Sequence, residues 1–368
     1  MTDTGGEGSG VAYYFLECCQ SFVLTTEWTR DDYDSVVLIE SKSTEQPLGS
    51  YLSENDLSIV IKSVSVQIDC SAVERFLSYA DGEVSLSQVW NHPGYDVIRE
   101  HAALLGRKPT REDVSRAVDG EQTSFSGVEN LTENRDQIVR LVGHVQSRES
   151  EWIDQIDKQL RRVTLDADVP NATIYLGIGY EIGIGVKSGA YINLNEPLFH
   201  RMPRQLLYAV IHESSHVLHE REHNSISRLG PRPLASNDQQ AVWNTVFHTE
   251  AYATYAPLRL RQADGNMGEC DHPMSEDYRV LSDETQLRDL VEEYDSFRET
   301  IRQESVSHKV LFSHLFGGSR LPYRVGCALI REVERIEGSD AVQEAFYADP
   351  VDFPEQYDWA LDKYRTNT

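Results

Sequence analysis

The 368-residue sequence predicts a mainly helical α+β protein. Three observations carry that expectation. Long stretches repeat apolar residues at spacings of three and four, the signature of a helix with one buried stripe. Alternating strand formers are confined to short runs, enough for a small sheet. An apolar content of 40% supplies a sizeable core and does not fit a wholly disordered chain.

The elements follow in order. Residues 1–66 form an N-terminal segment whose order the sequence does not specify and in which no chemistry is visible. It holds a Gly/Ser-rich start, an expected strand at Ser35–Ile39 and the alternating stretch Leu57–Ile68. Residues 67–165 read as a helical subdomain. Ser71 is placed to cap a helix bearing Val73, Phe76 and Leu77; Asn91-His92-Pro93-Gly94 precedes another with Tyr95, Val97 and Ile98. Pro109-Thr110 opens a third, and Ile138 through Val163 continues one long apolar stripe. Residues 166–368 carry the candidate chemistry. Ala172–Leu176 and Ala190–Leu194 read as two strands joined by a glycine-rich connection. The string GIGYEIGIG lacks the Lys-Ser/Thr ending of a phosphate-binding loop and runs into a strand, so a nucleotide site is not expected. Further on, Ser282 is placed to cap a helix carrying Leu287, Val291, Tyr294 and Ile301, and Gly338-Ser339 divides two short helices.

With 60 acidic against 34 basic side chains, the formal charge is -26. That argues against a nucleic-acid binder or an anionic-membrane binder, each of which needs a basic face. No apolar run reaches the roughly 18–20 residues that span a bilayer, and the amino terminus shows no secretory pattern. A cytoplasmic protein is expected. The basic residues comprise 7 Lys and 27 Arg. A carboxylate surplus with so little Lys resembles proteins that work in molar intracellular salt, as in haloarchaea, where the screening length falls to about 3 Å. Cys18, Cys19, Cys70, Cys270 and Cys327 form no C-x-x-C pair, which fits a reducing compartment and no cysteine metal site.

The sharpest signal lies in the helical segment from Pro203. His212-Glu213-Ser214-Ser215-His216 is an HExxH motif. Histidines four apart on a helix stand one above the other, so both can reach one metal ion. Glu213, rotated about 100° from His212, comes beside the ion, where it can take a proton from water. Val210, Ile211, Val217 and Leu218 flank the motif as a buried helix requires. His219-Glu220-Arg221-Glu222-His223 repeats the pattern, but without an apolar flank; this second copy is expected near the solvated helix end, as a supporting or surface feature.

A catalytic zinc needs a third protein ligand. The metzincin pattern would place Gly at 219 and His at 222, whereas this chain has His219 and Glu222. The order of strand, glycine-rich connection, strand, HESSH helix and EAYATY helix instead resembles zinc-dependent peptidases of the gluzincin type, over about residues 170–335. The resemblance implies a zincin-like catalytic domain with a small sheet packed on the HExxH helix. It implies Zn²⁺ as cofactor, held by His212, His216 and an acid from a downstream helix. Glu250, in the helical stretch Ala241–Leu260, is that acid; His248 and Glu222 compete for the role. Pro322-Tyr323-Arg324-Val325-Gly326 is similar to a Tyr-x-x-Gly element of several such peptidases, which makes Tyr323 the expected oxyanion donor, with Arg324, Tyr255 and His248 behind it. Thr254 departs from the thermolysin pattern, which has Asp four residues after the ligand Glu. The expected activity is hydrolysis of peptide or protein substrates, with Glu213 as general base and Ala190–Leu194 as the strand that pairs with substrate. A catalytically inactive metal-binding protein on the same scaffold and a zinc hydrolase of a non-peptide amide or ester are the rival readings.

Overall fold

The computed structural model describes residues 8–15, 21–28, 66–121, 123–165, 172–224, 238–268 and 272–365. The chain divides into two compact units, Met1–Val64 and Ser65–Thr368. In the first, β1 (Gly8–Phe15) and β2 (Ser21–Trp28) pair antiparallel, Gly8 opposite Trp28 and Phe15 opposite Ser21. The expected strand Ser35–Ile39, and the alternating stretch up to residue 65, lie outside the described residues.

The second unit is α+β and mainly helical, with a four-stranded sheet of order β3-β4-β6-β5. β3 (Gln67–Asp69), β4 (Thr173–Gly177) and β6 (Gly189–Asn193) run parallel, and β5 (Gly183–Val186) pairs antiparallel with β6 at the edge. Two corrections follow. The glycine-rich connection itself contains a strand, β5. Ala190–Leu194, expected to be the substrate-pairing edge, is interior, because β6 sits between β4 and β5.

The first helices are α1 (Ser71–Ala80), α2 (Leu86–Trp90), α3 (Pro93–Leu104) and α4 (Arg111–Val118). Ser71 is the first helical residue rather than the cap; its amide and hydroxyl both donate to Asp69. Thr110 caps α4 with the reciprocal Asp113 pairing of a capping box. The long stripe resolves into α5 (Leu131–Ser147) and α6 (Glu149–Leu160), broken at Arg148. α7 (Pro197–Arg201) leads into α8 (Pro203–His223), which lies on β5 and β6. α9 (Gln239–Tyr255) packs on α8 and is buried on every side from Val242 to Tyr255. Helices α10 (Leu258–Ala263), α11 (Pro273–Val280), α12 (Glu284–Gln303) and α13 (His308–Leu315) follow. Asp283, not Ser282, caps α12. A π-helical turn, Pro322–Gly326, runs into α14 (Cys327–Glu337), and α15 (Ser339–Phe346), α16 (Phe353–Tyr357) and α17 (Asp362–Arg365) close the chain.

A helix apolar on all sides belongs in a core. α9 instead buries Asn244, Thr245, His248, Thr249, Glu250 and Thr254 there. Buried polar groups are costly unless they are partnered, so this helix directs attention to what they face.

Candidate metal centre

His212 and His216 stand one turn apart on α8, with Nε2 atoms 3.1 Å from each other. Glu250 arrives from α9, and its Oε2 lies 3.5 Å from His212 Nε2 and 3.4 Å from His216 Nε2. Three donors held about 2.0–2.1 Å from one tetrahedral ion are about 3.3 Å apart. The observed triangle has that size. Beyond those two contacts, buried Glu250 Oε2 makes no well-formed hydrogen bond among the described residues, the state of an oxygen positioned for a cation. The residues present therefore fit a zinc ion. The side chains of the three keep 12–15% exposure, so the centre is open on one side.

The packing that permits this arrangement is written in glycines. A Cβ on Gly183 would come within 2.6 Å of Glu213 Oε1, and one on Gly185 within 2.3 Å of the Glu213 carbonyl oxygen. Only bare backbone lets β5 approach the motif so closely. Gly326 plays the same part on the other side, where a Cβ would fall 2.7 Å from that of Ala251. The π-helical turn thereby lies against α9 and delivers Tyr323, whose ring stacks on His212 with centroids 6.2 Å apart and planes 5° from parallel. Arg320, at φ 46°, stacks its guanidinium 3.7 Å above Tyr323 and pairs with the buried Asp277. Arg324 also pairs with Asp277, and Tyr255 bonds Glu334, so neither is turned to the His212, His216 and Glu250 cluster.

Burial pushes the Glu213 carboxyl above its ordinary pKa, with Glu250 adding to the rise and the two imidazoles opposing it. Burial works against charge on His216, but the Glu250 carboxylate overrides it and raises this pKa to about 9. Glu250 is itself driven well below the carboxylate range, its burial overcome by His216 and His212. Burial, then Glu250, raises the Tyr323 phenol well above 10, which keeps it a proton donor.

Two neighbours escaped sequence reasoning. His101, on α3, is close enough for its pKa to respond to His216 and Glu250. Its Nδ1 lies 3.0 Å from the hydroxyl of Tyr180, a residue at φ 74°. The backbone conformation was the missing signal, since a non-glycine residue at positive φ is rare and clusters at functional sites.

The second HExxH copy does close α8, with Glu222 exposed and Arg221 half-buried, but its histidines are not solvated. His219, Glu220 and His223 are 1%, 5% and 6% exposed, and only Glu222 of the acids is exposed, which removes it as a ligand. His248, the other competitor for Glu250's place, faces His219 and His223 instead.

No family model matches the chain, and neither the curated proteins nor the solved structures contain a match. The site must be read from its own geometry. Among the described residues no helix is long and apolar enough to cross a membrane.

Proposed function

We propose that this protein is a cytoplasmic zinc-dependent peptidase with a zincin-like catalytic domain of the gluzincin type. The observation that carries the reading is the His212, His216 and Glu250 triangle, with edges of 3.1–3.5 Å, beside Glu213. Zinc bound there would supply a Lewis acid and a water that ionises near neutral pH.

The chain's own residues would do the rest. Glu213, adjacent to His212 in a buried turn, takes the proton lost by water and passes it to the leaving amine; its raised pKa suits a group that must do both. Tyr323, a protonated phenol stacked on His212, donates to the oxyanion. β5 is the edge beside α8, and an extended peptide would add to it by main-chain pairing. This gives the edge role to Gly183–Val186 rather than Ala190–Leu194.

The test is Glu213→Gln, assayed in molar salt with a fluorogenic peptide library and with metal analysis of the same sample. Zinc should be retained while hydrolysis falls about 10²–10⁴-fold. Undiminished, chelator-insensitive peptide cleavage would remove Glu213 from the mechanism. Full zinc with no cleavage by the unaltered protein would favour the inactive scaffold or a non-peptide hydrolase.

A further inference from the structure

The four histidines of α8 divide between two clusters, and the second is not used by the reading above. His219 Nε2 lies 2.7 Å from His248 Nδ1. The rings of His219, His223 and His248 have centroids 4.6, 4.9 and 5.4 Å apart, and one nitrogen from each falls within 4.8 Å of the others. All three residues are buried, against Phe346, Phe353 and Tyr252.

The far side of each ring is anchored. His248 Nε2 is 3.1 Å from the Ala345 carbonyl oxygen and His223 Nε2 is 2.7 Å from that of Phe346. A carbonyl only accepts, so both Nε2 atoms carry protons, and in the neutral ring each Nδ1 is left with a lone pair. The Thr249 hydroxyl donates to the Thr245 carbonyl and lies 3.3 Å from His219 Nδ1, which can then donate to it. With that tautomer the 2.7 Å contact between His219 Nε2 and His248 Nδ1 sets two lone pairs face to face, which either a proton shared between them or a common cation must bridge; a cation would part the two nitrogens to about 3.3 Å. Anchoring the remote nitrogen on a carbonyl or hydroxyl is how proteins orient metal-binding imidazoles. The arrangement also repeats the first centre: a histidine pair four apart on α8, closed by a residue of α9.

We propose that His219, His223 and His248 form a second metal site, which takes a borderline divalent cation such as Zn²⁺ through three imidazoles. Imidazole donors with no thiolate select zinc, copper, nickel or cobalt over magnesium and calcium. Seven residues separate His212 from His219, about 10 Å along the helix, so the two centres are distinct. The second is enclosed and its histidines are anchored on Ala345 and Phe346, which makes its role structural: it fastens α8, α9 and α15 together.

The experiment strips the full-length protein with chelator in molar salt, reloads it with ZnCl₂ alone and counts zinc per chain. The unaltered protein should bind about two, His248→Gln one, and the double variant His212→Asn/Glu250→Gln one. X-ray absorption of zinc in that double variant should show an imidazole-rich shell, and chelation should lower its melting temperature. The double variant leaves the second cluster intact, so the test survives if His248→Gln fails to fold. About one zinc in the unaltered protein and none in the double variant would overturn the proposal and leave the three histidines as a hydrogen-bonded network. Loss of the first site alone, with the second still loaded, would sink the peptidase reading and not this one.

Discussion

Tyr323 and His101 show how much a single side chain can be asked to do at this centre. The Tyr323 ring is fixed between His212 and the Arg320 guanidinium, so Tyr323→Phe keeps the packing and removes only the hydroxyl. If the phenol stabilises the oxyanion, steady-state kinetics should show kcat lowered about 10–10³-fold with KM little changed. Equal loss in both parameters, or none, would return the tyrosine to a packing role. His101 offers a pH test. Burial, helped by Arg107 and His216 and opposed by Glu250, lowers its pKa to about 4, against about 6.5 when unfolded. Between those values the unfolded chain binds more protons. The stability contributed by neutral His101 is therefore complete above about pH 6.5 and drains away as the pH falls toward 4. Melting temperature against pH should fall less steeply in that window for His101→Gln than for the unaltered protein; parallel curves would contradict the shift.

The elements meet through residues chosen for small size. β5 can lie on α8 because Gly185 presents no Cβ to the Glu213 carbonyl, 2.3 Å from where one would be. Backbone cannot swing aside as a flexible side chain can, so Gly185→Ala must push the strand from the helix. Denaturant unfolding should register a loss of about 1–3 kcal/mol, and zinc affinity should weaken because His216 Cβ is only 2.7 Å from the same point. Gly143→Ala is the control: it lies in α5 with nothing within 4 Å and should be neutral or slightly stabilising. The π-helical turn works the same way. Its widened turn offsets Tyr323 from the register of α14, and Gly326 against Ala251 sets its depth.

At the scale of the whole molecule, a charge of -26 repels itself at every pH where the carboxylates are ionised. Some of the acid is neutralised in place: Glu332 lies within ion-pair distance of Arg331, Arg335 and Lys363, and Asp277 of Arg320 and Arg324. The surplus remains. Raising NaCl from about 0.1 to 1 M shortens the screening length from about 10 to 3 Å and should raise the melting temperature, with further gain in molar salt. A calorimetric midpoint that is flat or falls over that range would remove the halophilic reading of the composition.

By itself, the sequence determined that the protein is helical with a small sheet, and it located the pair His212 and His216 and the neighbouring acid Glu213. These are local properties: apolar spacing reports a helix face, and a separation of four residues puts two imidazoles on one side whatever surrounds them. The resemblance carried by its motifs also singled out Glu250 and Tyr323, but their distances to His212 exist only once α9 and the π-helical turn have packed. Only the tertiary structure decided which strand is the edge, since strand order depends on pairings across the chain rather than on alternation within it. It alone turned Gly183–Val186 from a loop into a strand, and the histidines of the second HExxH from an exposed repeat into a buried trio with His248. Glu222 is exposed and Arg221 half-buried, as their charge suggests, while the burial of His219, Glu220 and His223 is set by what another helix brings against the opposite face.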